Sequence, residues 1–322
     1  TGDGTSWQAT YPVPDYRGKV STLAGVAGDY GTTDGTGTAA RFSGSIGITS
    51  DGTNLYLTDY YNYTIRMIVI SSGEVTTLAG TAGTSGSSDG LGTVAKFNRP
   101  AGITTDGKNL YVADYMNHTI RKIEISSGEV STIAGSARNA GTTDGTGSVA
   151  RFYRPRGITT DGTNLYVADY SNNTIRKVVI SSGVVTTFAG TAGTIGSTNG
   201  TGTDAKFNKP EALTTDGTNL YVADTQNQLI RQIEISSGVV TTLTGTVGAS
   251  GSMDGSSMEA KFNGPVGITT DGTNLYVSEW SNHTIRKVVI STGVVTTLAG
   301  TAGTSGTTDA TGTAAKFKNP NG

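Results

Sequence analysis

A period of 55 residues, alternation of apolar and polar residues within each period, and glycine-rich turns predict an all-β fold of repeated sheets around an axis, a β-propeller. The period is visible at the residue that opens each copy: Gly47, Gly102, Gly157, Ala212 and Gly267. The chain of 322 residues contains 47 glycines and only 15% charged residues. This composition suits short strands joined by tight turns.

Each copy contains four predicted strands, and the third copy shows them clearly. "GITT" at 157–160 and "NLYVAD" at 164–169 alternate apolar and polar residues and are separated by Asp161-Gly162, the signal for a tight hairpin. "TIRKVVIS" at 174–181 and "VVTTFAG" at 184–190 follow, separated by a serine-glycine turn. Four antiparallel strands form one sheet, and sheets repeated around an axis bury their faces against their neighbours.

A long connection without regular pattern joins each sheet to the next, and it carries a recurring aromatic residue. The residues are Phe42, Phe97, Phe152, Phe207, Phe262 and Phe317. In most copies a proline follows three residues later and stiffens the start of the next sheet. We expect each ring to anchor its loop between two blades, which would make the connection an ordered cap.

The blade count depends on the N-terminal region. "VSTLAG" at 20–25 repeats the fourth-strand pattern before the first complete copy, so we expect 7–25 to supply strands three and four of a half-blade. The predicted fold is a six-bladed propeller with five complete four-stranded blades plus this half-blade, and a five-bladed ring is the alternative. The two inner strands that would complete the half-blade would come from further chain or from a partner, unless the ring closes with the half-blade alone. One domain is expected over 1–322, divided into 1–46, 47–101, 102–156, 157–211, 212–266 and 267–322.

The stretch "GITTDGKNLYVADYMNHTIRKI" at 102–123 resembles the NHL repeat, named for an Asn-His-Leu tripeptide. Asn117-His118-Thr119 occupies that slot; the Asn recurs in every complete copy, and the next two positions vary. The resemblance extends over roughly 17–322 and implies a propeller. It leaves function open, because propellers of this type include RNA-binding and protein-binding platforms, surface proteins, and relatives with lyase or hydrolase activity.

Polar residues that recur in every copy are interpreted as structural, because each blade needs them. The acid that ends strand two is Asp59, Asp114, Asp169, Asp224 or Glu279, and the arginine of strand three is Arg66, Arg121, Arg176, Arg231 or Arg286. We expect the acids to bond the backbone of the neighbouring turn. The arginine stems are expected to pack on the adjoining blade while the guanidinium bonds carbonyls or these acids.

No catalytic residue and no metal ligand is predicted. His118 and His283 share one slot that other copies fill with Tyr, Asn or Gln, which indicates a surface or second-layer position. The inter-blade loops carry an acid in "DGTG"-like turns, namely Asp34, Asp89, Asp144, Asp254 and Asp309. Each loop offers one such carboxylate where a calcium loop gathers several, so a turn-forming role is favoured, weak calcium binding is the alternative, and no cofactor is expected. The absence of cysteine excludes disulfides and thiolate chemistry.

Differences between the copies concentrate in the loops after strand two and between blades, which we expect on one face. The candidate binding residues are Tyr60, Tyr115, Tyr170, Trp280, Tyr153, Arg154 and Arg156. Aromatic residues and arginine are enriched at interfaces. Rings that merely cover loop backbone are the alternative interpretation.

The expected function is a non-enzymatic extracellular binding scaffold that presents this face to a protein or glycan partner. A structural subunit that forms homo-oligomers by strand addition at the incomplete blade is the alternative, and a lyase-like or hydrolase-like enzyme is the third hypothesis. The formal net charge of −2 disfavours binding to nucleic acid. The sequence has no apolar run of about 18 residues, so membrane insertion is not expected. Low lysine content and the lack of a signal-peptide pattern in 1–20 predict the mature form of an extracellular or cell-surface protein.

Overall fold

A computed structural model describes residues 18–322, which form five antiparallel β-sheets arranged as propeller blades. Blade 1 contains β1 (Gly35–Thr36), β2 (Ser45–Ser50), β3 (Asn54–Asp59), β4 (Thr64–Val69) and β5 (Glu74–Ala79). Blade 2 contains β6 (Gly90–Leu91), β7 (Pro100–Thr105), β8 (Asn109–Asp114), β9 (Thr119–Glu124) and β10 (Glu129–Gly135). Blade 3 contains β11 (Gly145–Thr146), β12 (Pro155–Thr160), β13 (Asn164–Asp169), β14 (Thr174–Val179) and β15 (Val184–Ala189).

The remaining two blades of the described chain follow the same plan. Blade 4 contains β16 (Gly200–Thr201), β17 (Pro210–Thr215), β18 (Asn219–Asp224), β19 (Leu229–Glu234) and β20 (Val239–Thr244). Blade 5 contains β21 (Pro265–Thr270), β22 (Asn274–Glu279), β23 (Thr284–Val289) and β24 (Val295–Ala299). Short 3₁₀ helices lie at Gly37–Ala39, Gly92–Val94, Gly147–Val149, Tyr170–Asn172, Gly202–Asp204, Thr225–Asn227 and Gly312–Ala314. Among residues 18–322, no helix has the length and apolar character needed to cross a membrane.

The long strands occupy the positions that the sequence predicts. In blade 3, β12 is the inner strand and is followed outward by β13, β14 and β15. The register pairs Asp169 at the end of β13 with Thr174 at the start of β14. Because β12 begins opposite Asp169, the turn after β13 and both ends of the inter-blade loop lie at the same end of the sheet. The prediction that these loops share one face is therefore confirmed.

The inter-blade loops are more regular than the sequence indicates. The loop before blade 3 supplies the two-residue strand β11, which pairs with the outer strand β15, and Gly147 N donates to Gly183 O at 2.9 Å. The equivalent additions make blades 1 to 4 five-stranded, so the expectation of four strands per blade is wrong for them. The physical reason is that an outer strand has unpaired backbone groups, which a neighbouring loop can satisfy.

The core lies between neighbouring blades. Between blades 2 and 3, Phe152 from the loop packs with Ile158 and Val167 of blade 3 and with Tyr111 and Ile120 of blade 2. The equivalent loop rings at 97, 207 and 262 are also fully buried, whereas Phe42 and Phe317 are partly buried. The prediction that each ring anchors a loop is confirmed, and burial of such a ring contributes several kcal/mol, since Phe→Ala changes cost about 3–5 kcal/mol.

Glycine is the third residue of most inner strands, because these strands approach closely at the axis. A Cβ added to Gly102 would lie 2.3 Å from the carbonyl oxygen of Arg156, and one added to Gly322 would lie 2.2 Å from Ile46 O. The amide of Gly322 also donates to Ile46 O at 2.8 Å. Gly322 therefore lies against blade 1 and closes the inner ring.

The described chain forms five blades, so the six-bladed expectation is wrong and the five-bladed alternative is confirmed. Residues 20–25 do take the position of an outer strand: Gly312 N donates to Gly18 O at 2.7 Å, as Gly147 does to Gly183. Within residues 18–322 this segment forms only the single bridge between Lys19 and Thr311 instead of a sheet. The expected third strand of the half-blade, within 7–17, lies outside the described residues.

Candidate binding face

A buried ion pair holds each loop to its blade, as blade 3 shows. Arg176 Nη1 donates to Asp169 Oδ2 at 2.9 Å and to the carbonyl of Arg151 at 2.8 Å. Its Nη2 donates to Asp144 Oδ1 at 2.6 Å and to the carbonyl of Thr143. The side chains of Arg176 and Asp169 are 1% and 0% exposed. One guanidinium thus binds the end of strand two and two points of the preceding loop.

The carboxylate of Asp169 completes this loop clamp, as we call the Arg176–Asp169–Asp144 cluster and its equivalents. Asp169 accepts hydrogen bonds from the amide of Tyr153 at 2.7 Å and from Asn172 Nδ2 at 2.8 Å. The guanidinium of Arg176 stacks on Phe152, 5.1 Å from the ring centroid. The interpretation of the repeated acids and arginines as structural is confirmed, because all their strong contacts serve the loop.

The loop acids do more than form turns. Asp144 accepts hydrogen bonds from Arg176 and, through Oδ2, from the amide of Thr187 on β15 at 3.0 Å. Asp34, Asp89 and Asp254 make the same contacts in their blades, and Asn199 stands at this position in blade 4. Each carboxylate therefore links the loop to both the third and the fourth strand.

The two histidines occupy an acceptor slot instead of a free surface position. His118 Nδ1 accepts the backbone N–H of Arg154 at 3.1 Å, and His118 is only 9% exposed. Asn173 and Gln228 accept the corresponding amide in other copies with their side-chain oxygens. Burial, assisted by Arg154, lowers the pKa of His118, which favours the neutral ring that can accept. The slot tolerates His, Asn and Gln because all three offer an acceptor.

The predicted binding tyrosines lie where strand two of blades 1 to 3 ends. The ring centroids of Tyr60 and Tyr115 are 6.1 Å apart. The guanidinium of Arg154 lies 5.8 Å from the Tyr115 centroid and 5.5 Å from that of Tyr153. Arg156 lies 5.5 Å from the ring of Tyr170. Six of the seven predicted residues therefore form cation–aromatic or aromatic contacts on adjacent blades.

Trp280 stands apart from this group. It follows strand two of blade 5, is 43% exposed, and within residues 18–322 makes no ring contact with the other six. Its carbonyl accepts a hydrogen bond from Asn319 Nδ2 at 3.0 Å. The structure thus places Trp280 on the same kind of turn but outside the cluster.

Two cations outside the predicted set complete the cluster. Arg99 lies 5.7 Å from the centroid of Tyr60 and 5.8 Å from that of Tyr61, and Lys209 lies 5.8 Å from that of Tyr170. Both belong to a slot that immediately precedes the loop proline, which Arg154 shares. The signal in the sequence was that this slot varies between Gly, Asn, Arg and Lys while its neighbours repeat. We name Tyr60, Tyr115, Tyr170, Tyr153, Arg99, Arg154, Arg156 and Lys209 the loop face.

The cations of this slot have left-handed backbone conformations. Arg99, Arg154 and Lys209 have φ values of 58°, 55° and 52°, where Gly44 and Gly264 in the equivalent positions have 69° and 67°. A residue with a side chain costs free energy in this region, of order 1–3 kcal/mol in strained sites. Glycine would satisfy the fold at all these positions, so the cations are not explained by folding.

A further charged pair lies at the axis, beside the loop face. Arg156 and Glu211 stand at one repeat position, the second residue of the inner strands β12 and β17, and Arg156 Nη2 lies 2.6 Å from Glu211 Oε1. Other copies carry Ile46, Ala101 and Val266 there. Both residues line an axial channel of about 380 Å³. We did not expect charged residues to converge on the axis, although Arg156 and Glu211 depart visibly from the repeat.

Burial also acts on the titratable groups of this region. It raises the pKa of Glu211 to about 6, against the opposing effect of Arg156. It also raises the pKa values of Tyr60 and Tyr170, so both hydroxyls stay protonated at neutral pH. The loop face therefore presents cations beside the neutral hydroxyls of Tyr60 and Tyr170, and Glu211 is a buried acid next to it.

The NHL repeat family model matches residues 97–123, which confirms the resemblance seen in the sequence. NHL repeat-containing protein 2 of Homo sapiens is 29% identical over 272 residues, which is 74% of this chain and 37% of the human protein. The protein of Gallus gallus is 28% identical over 314 residues, 87% of this chain and 43% of its own. The chain thus spans less than half the length of these relatives.

Similarity to solved structures supports the fold. An auxiliary nutrient binding protein from Bacteroides thetaiotaomicron matches with a TM-score of 0.68 at 16% identity, over 93% of this chain and 69% of that one. At this identity the similarity shows the β-propeller architecture only.

Removal of one clamp arginine should destabilise the fold. Arg121→Met leaves the fully buried carboxylate of Asp114 without its cation, and we expect the free energy of unfolding to fall by about 3–5 kcal/mol. Urea denaturation measures the change. As a control, Arg151→Met removes an arginine whose guanidinium bonds only nearby loop carbonyls, and it should cost less than about 1 kcal/mol. Equal losses in the two variants would contradict the structural role of the clamp.

Proposed function

We propose that this chain, an NHL-repeat β-propeller, is a non-enzymatic binding scaffold that presents its loop face to a protein or glycan partner. The observation that carries the proposal is the cluster of cations and tyrosines across adjacent blades. Four of its members, Arg99, Arg154, Arg156 and Lys209, contact tyrosine rings at 5.5 to 5.8 Å. Arginine and tyrosine are the residues that most often dominate binding energy at interfaces.

The cluster breaks the symmetry of an otherwise repetitive molecule. The loop clamp recurs in each blade because each loop must be held, whereas the cations replace glycines that the fold would accept. Residues that add backbone strain and charge without contributing to the core are expected at functional positions. The alternative that the rings only cover loop backbone accounts for their half-burial but leaves the cations unexplained.

A non-enzymatic role fits the use of the titratable groups. The repeated acids and both histidines accept hydrogen bonds from loop amides or arginines, so their lone pairs are engaged in holding backbone. General acid–base catalysis needs such groups free to reach a substrate. An extracellular or cell-surface location is also part of the proposal, on the basis of the low lysine and cysteine-free composition. The propeller from Bacteroides thetaiotaomicron with the same architecture is an auxiliary nutrient binding protein, so the fold is compatible with a binding role.

Glycine substitutions can remove the cations without disturbing the fold. The triple variant Arg99→Gly, Arg154→Gly and Lys209→Gly should keep the stability of the wild type within about 1 kcal/mol, because relief of strain offsets the added backbone entropy. Binding to partners found on a glycan array or an array of purified extracellular proteins should fall at least tenfold. Biolayer interferometry of both proteins measures the change.

The matched control for this experiment is Lys108→Gly, which removes an exposed cation from a hairpin turn at the opposite end of a blade. We expect it to bind like the wild type. Partners that bind the triple variant normally and lose affinity for Lys108→Gly would contradict the assignment of the loop face.

A second candidate is strand addition at the gap between blades 5 and 1. Ile48 of β2 is 46% exposed, whereas the equivalent Ile103 and Ile158 are 5% and 6% exposed because a neighbouring blade covers them. Tyr276 of blade 5 is likewise only partly buried, unlike Tyr221 in blade 4. Among residues 18–322, these two apolar faces lack the cover that neighbouring blades give one another elsewhere, which favours addition of strands from another chain.

Light scattering over a concentration series tests this second candidate. If strands are added between copies, the particle mass should grow with concentration, and Ile48→Lys should return it to the chain mass of 32.9 kDa. A mass of 32.9 kDa at every concentration in the wild type would contradict assembly through this gap.

A further inference from the structure

The pair formed by Arg156 and Glu211 is distinctive in its position. Both side chains lie at the mouth of the axial channel, on the inner strands of adjacent blades 3 and 4. The side chain of Glu211 is 7% exposed and that of Arg156 is 22% exposed. The guanidinium therefore binds a buried carboxylate while part of it remains accessible from the channel.

Packing does not account for this pair. Isoleucine, alanine and valine fill the same repeat position in other blades, so apolar side chains suffice for the inner ring. A buried ion pair is on average no more stabilising than well-packed apolar residues, because desolvation of the two charges offsets their attraction. At the equivalent positions the ring has the uncharged residues Ile46, Ala101, Val266 and Asn321, and a charged pair that interrupts such a ring at a channel mouth points to a ligand.

The surroundings of the pair define the chemistry of that ligand. Arg156 Nη2 already lies 2.6 Å from one carboxylate oxygen of Glu211, so a second carboxylate is the group that can take its place. Tyr170 lies beside Arg156 just outside the lining of the channel, and Lys209 lies on the same ring. Tyrosine offers an apolar face and a polar hydroxyl, which suits a ring that carries hydroxyl groups.

The size of the channel limits the ligand. A volume of about 380 Å³ lies at the lower end of the range for small-molecule sites, about 300–1,000 Å³. Such a space accepts one or two sugar rings. A nucleic acid strand would need an extended cationic groove, and the chain has a formal net charge of −2.

We propose that the mouth of the axial channel binds the terminal uronate of an acidic glycan, whose carboxylate takes Arg156 from Glu211 while its sugar ring lies against Tyr170. This inference rests on the proposed function and specifies the ligand class for one part of it. Glu211 competes with the ligand for the same guanidinium. Its removal therefore strengthens binding, whereas removal of Arg156 abolishes it.

The competition gives the site a defined pH dependence. Because burial places the pKa of Glu211 at about 6, a fall from pH 7.5 to 5.5 neutralises this carboxyl and frees Arg156. The ligand carboxylate, with an ordinary pKa of about 4, stays ionised over that range. The other charged or titratable groups that face Glu211 are Arg156, Lys209 and Tyr170, and burial raises the pKa of Tyr170 further above this pH range. Affinity should therefore rise as the pH falls.

Isothermal titration calorimetry with digalacturonate tests the proposal on the whole chain. The wild type should bind at least threefold more tightly at pH 5.5 than at pH 7.5, and Glu211→Gln should bind tightly at both. Arg156→Gln should lose at least tenfold in affinity, and the methyl ester of the ligand should not bind. His118→Asn is the control for the nearby histidine. It places in the acceptor slot the Asn that the third copy carries there, and it should keep the pH dependence of binding.

Thermal unfolding monitors the stability of each variant. The double variant Arg156→Ile with Glu211→Val replaces the charged pair by residue types that other blades already carry at this position. It should fold and fail to bind. No saturable binding by the wild type, or equal binding by the wild type and Arg156→Gln, would overturn the proposal. If partners still depend on Arg99, Arg154 and Lys209 while digalacturonate does not bind, the uronate site is wrong and the binding scaffold stands. If neither binding is found, both fail.

Discussion

The structure depends on one repeated interaction, the buried guanidinium that joins the end of strand two to the inter-blade loop. Arg176 illustrates it, with two carboxylates and two loop carbonyls as partners and a loop phenylalanine beneath it. A long loop rich in glycine would otherwise lose much conformational entropy on ordering. Because its carbonyls and amides are bonded to side chains that the strands hold, the loop becomes part of the blade.

This arrangement separates scaffold from function within each repeat. The arginine and the strand-two acid of the clamp are buried, and the clamp residues are nearly invariant between copies. The residue after strand two and the residue before the loop proline vary. Their backbones are fixed by the clamp and by the acceptor slot that His118, Asn173 or Gln228 fills. Cations and tyrosines at these positions are therefore presented from rigid elements, which lowers the entropy lost when a partner binds.

Most of the fold could be predicted from the sequence, since the 55-residue period, the Asp-Gly turns and the alternating strands are local signals. The two-residue outer strands could not, because their pairing depends on a loop crossing to the next sheet. The loop face was largely predicted by asking where the copies differ. Glu211 departs from the residues at the same position of other copies, but its pairing with Arg156 across adjacent blades is a tertiary contact without a local signal.

Hydrogen exchange of the loop amides tests the central claim most directly. The backbone N–H groups of Asn98, Tyr153 and Asn208 lie in loops. They donate to the carboxylates that end strand two, those of Asp114, Asp169 and Asp224, at 2.7 to 2.8 Å. If the clamp makes the loops part of the blades, these amides should exchange as slowly as those in the middle of β8, β13 and β18. Exchange as fast as in the exposed hairpin turns would show that the loops open independently, and it would contradict the account of a rigid loop face.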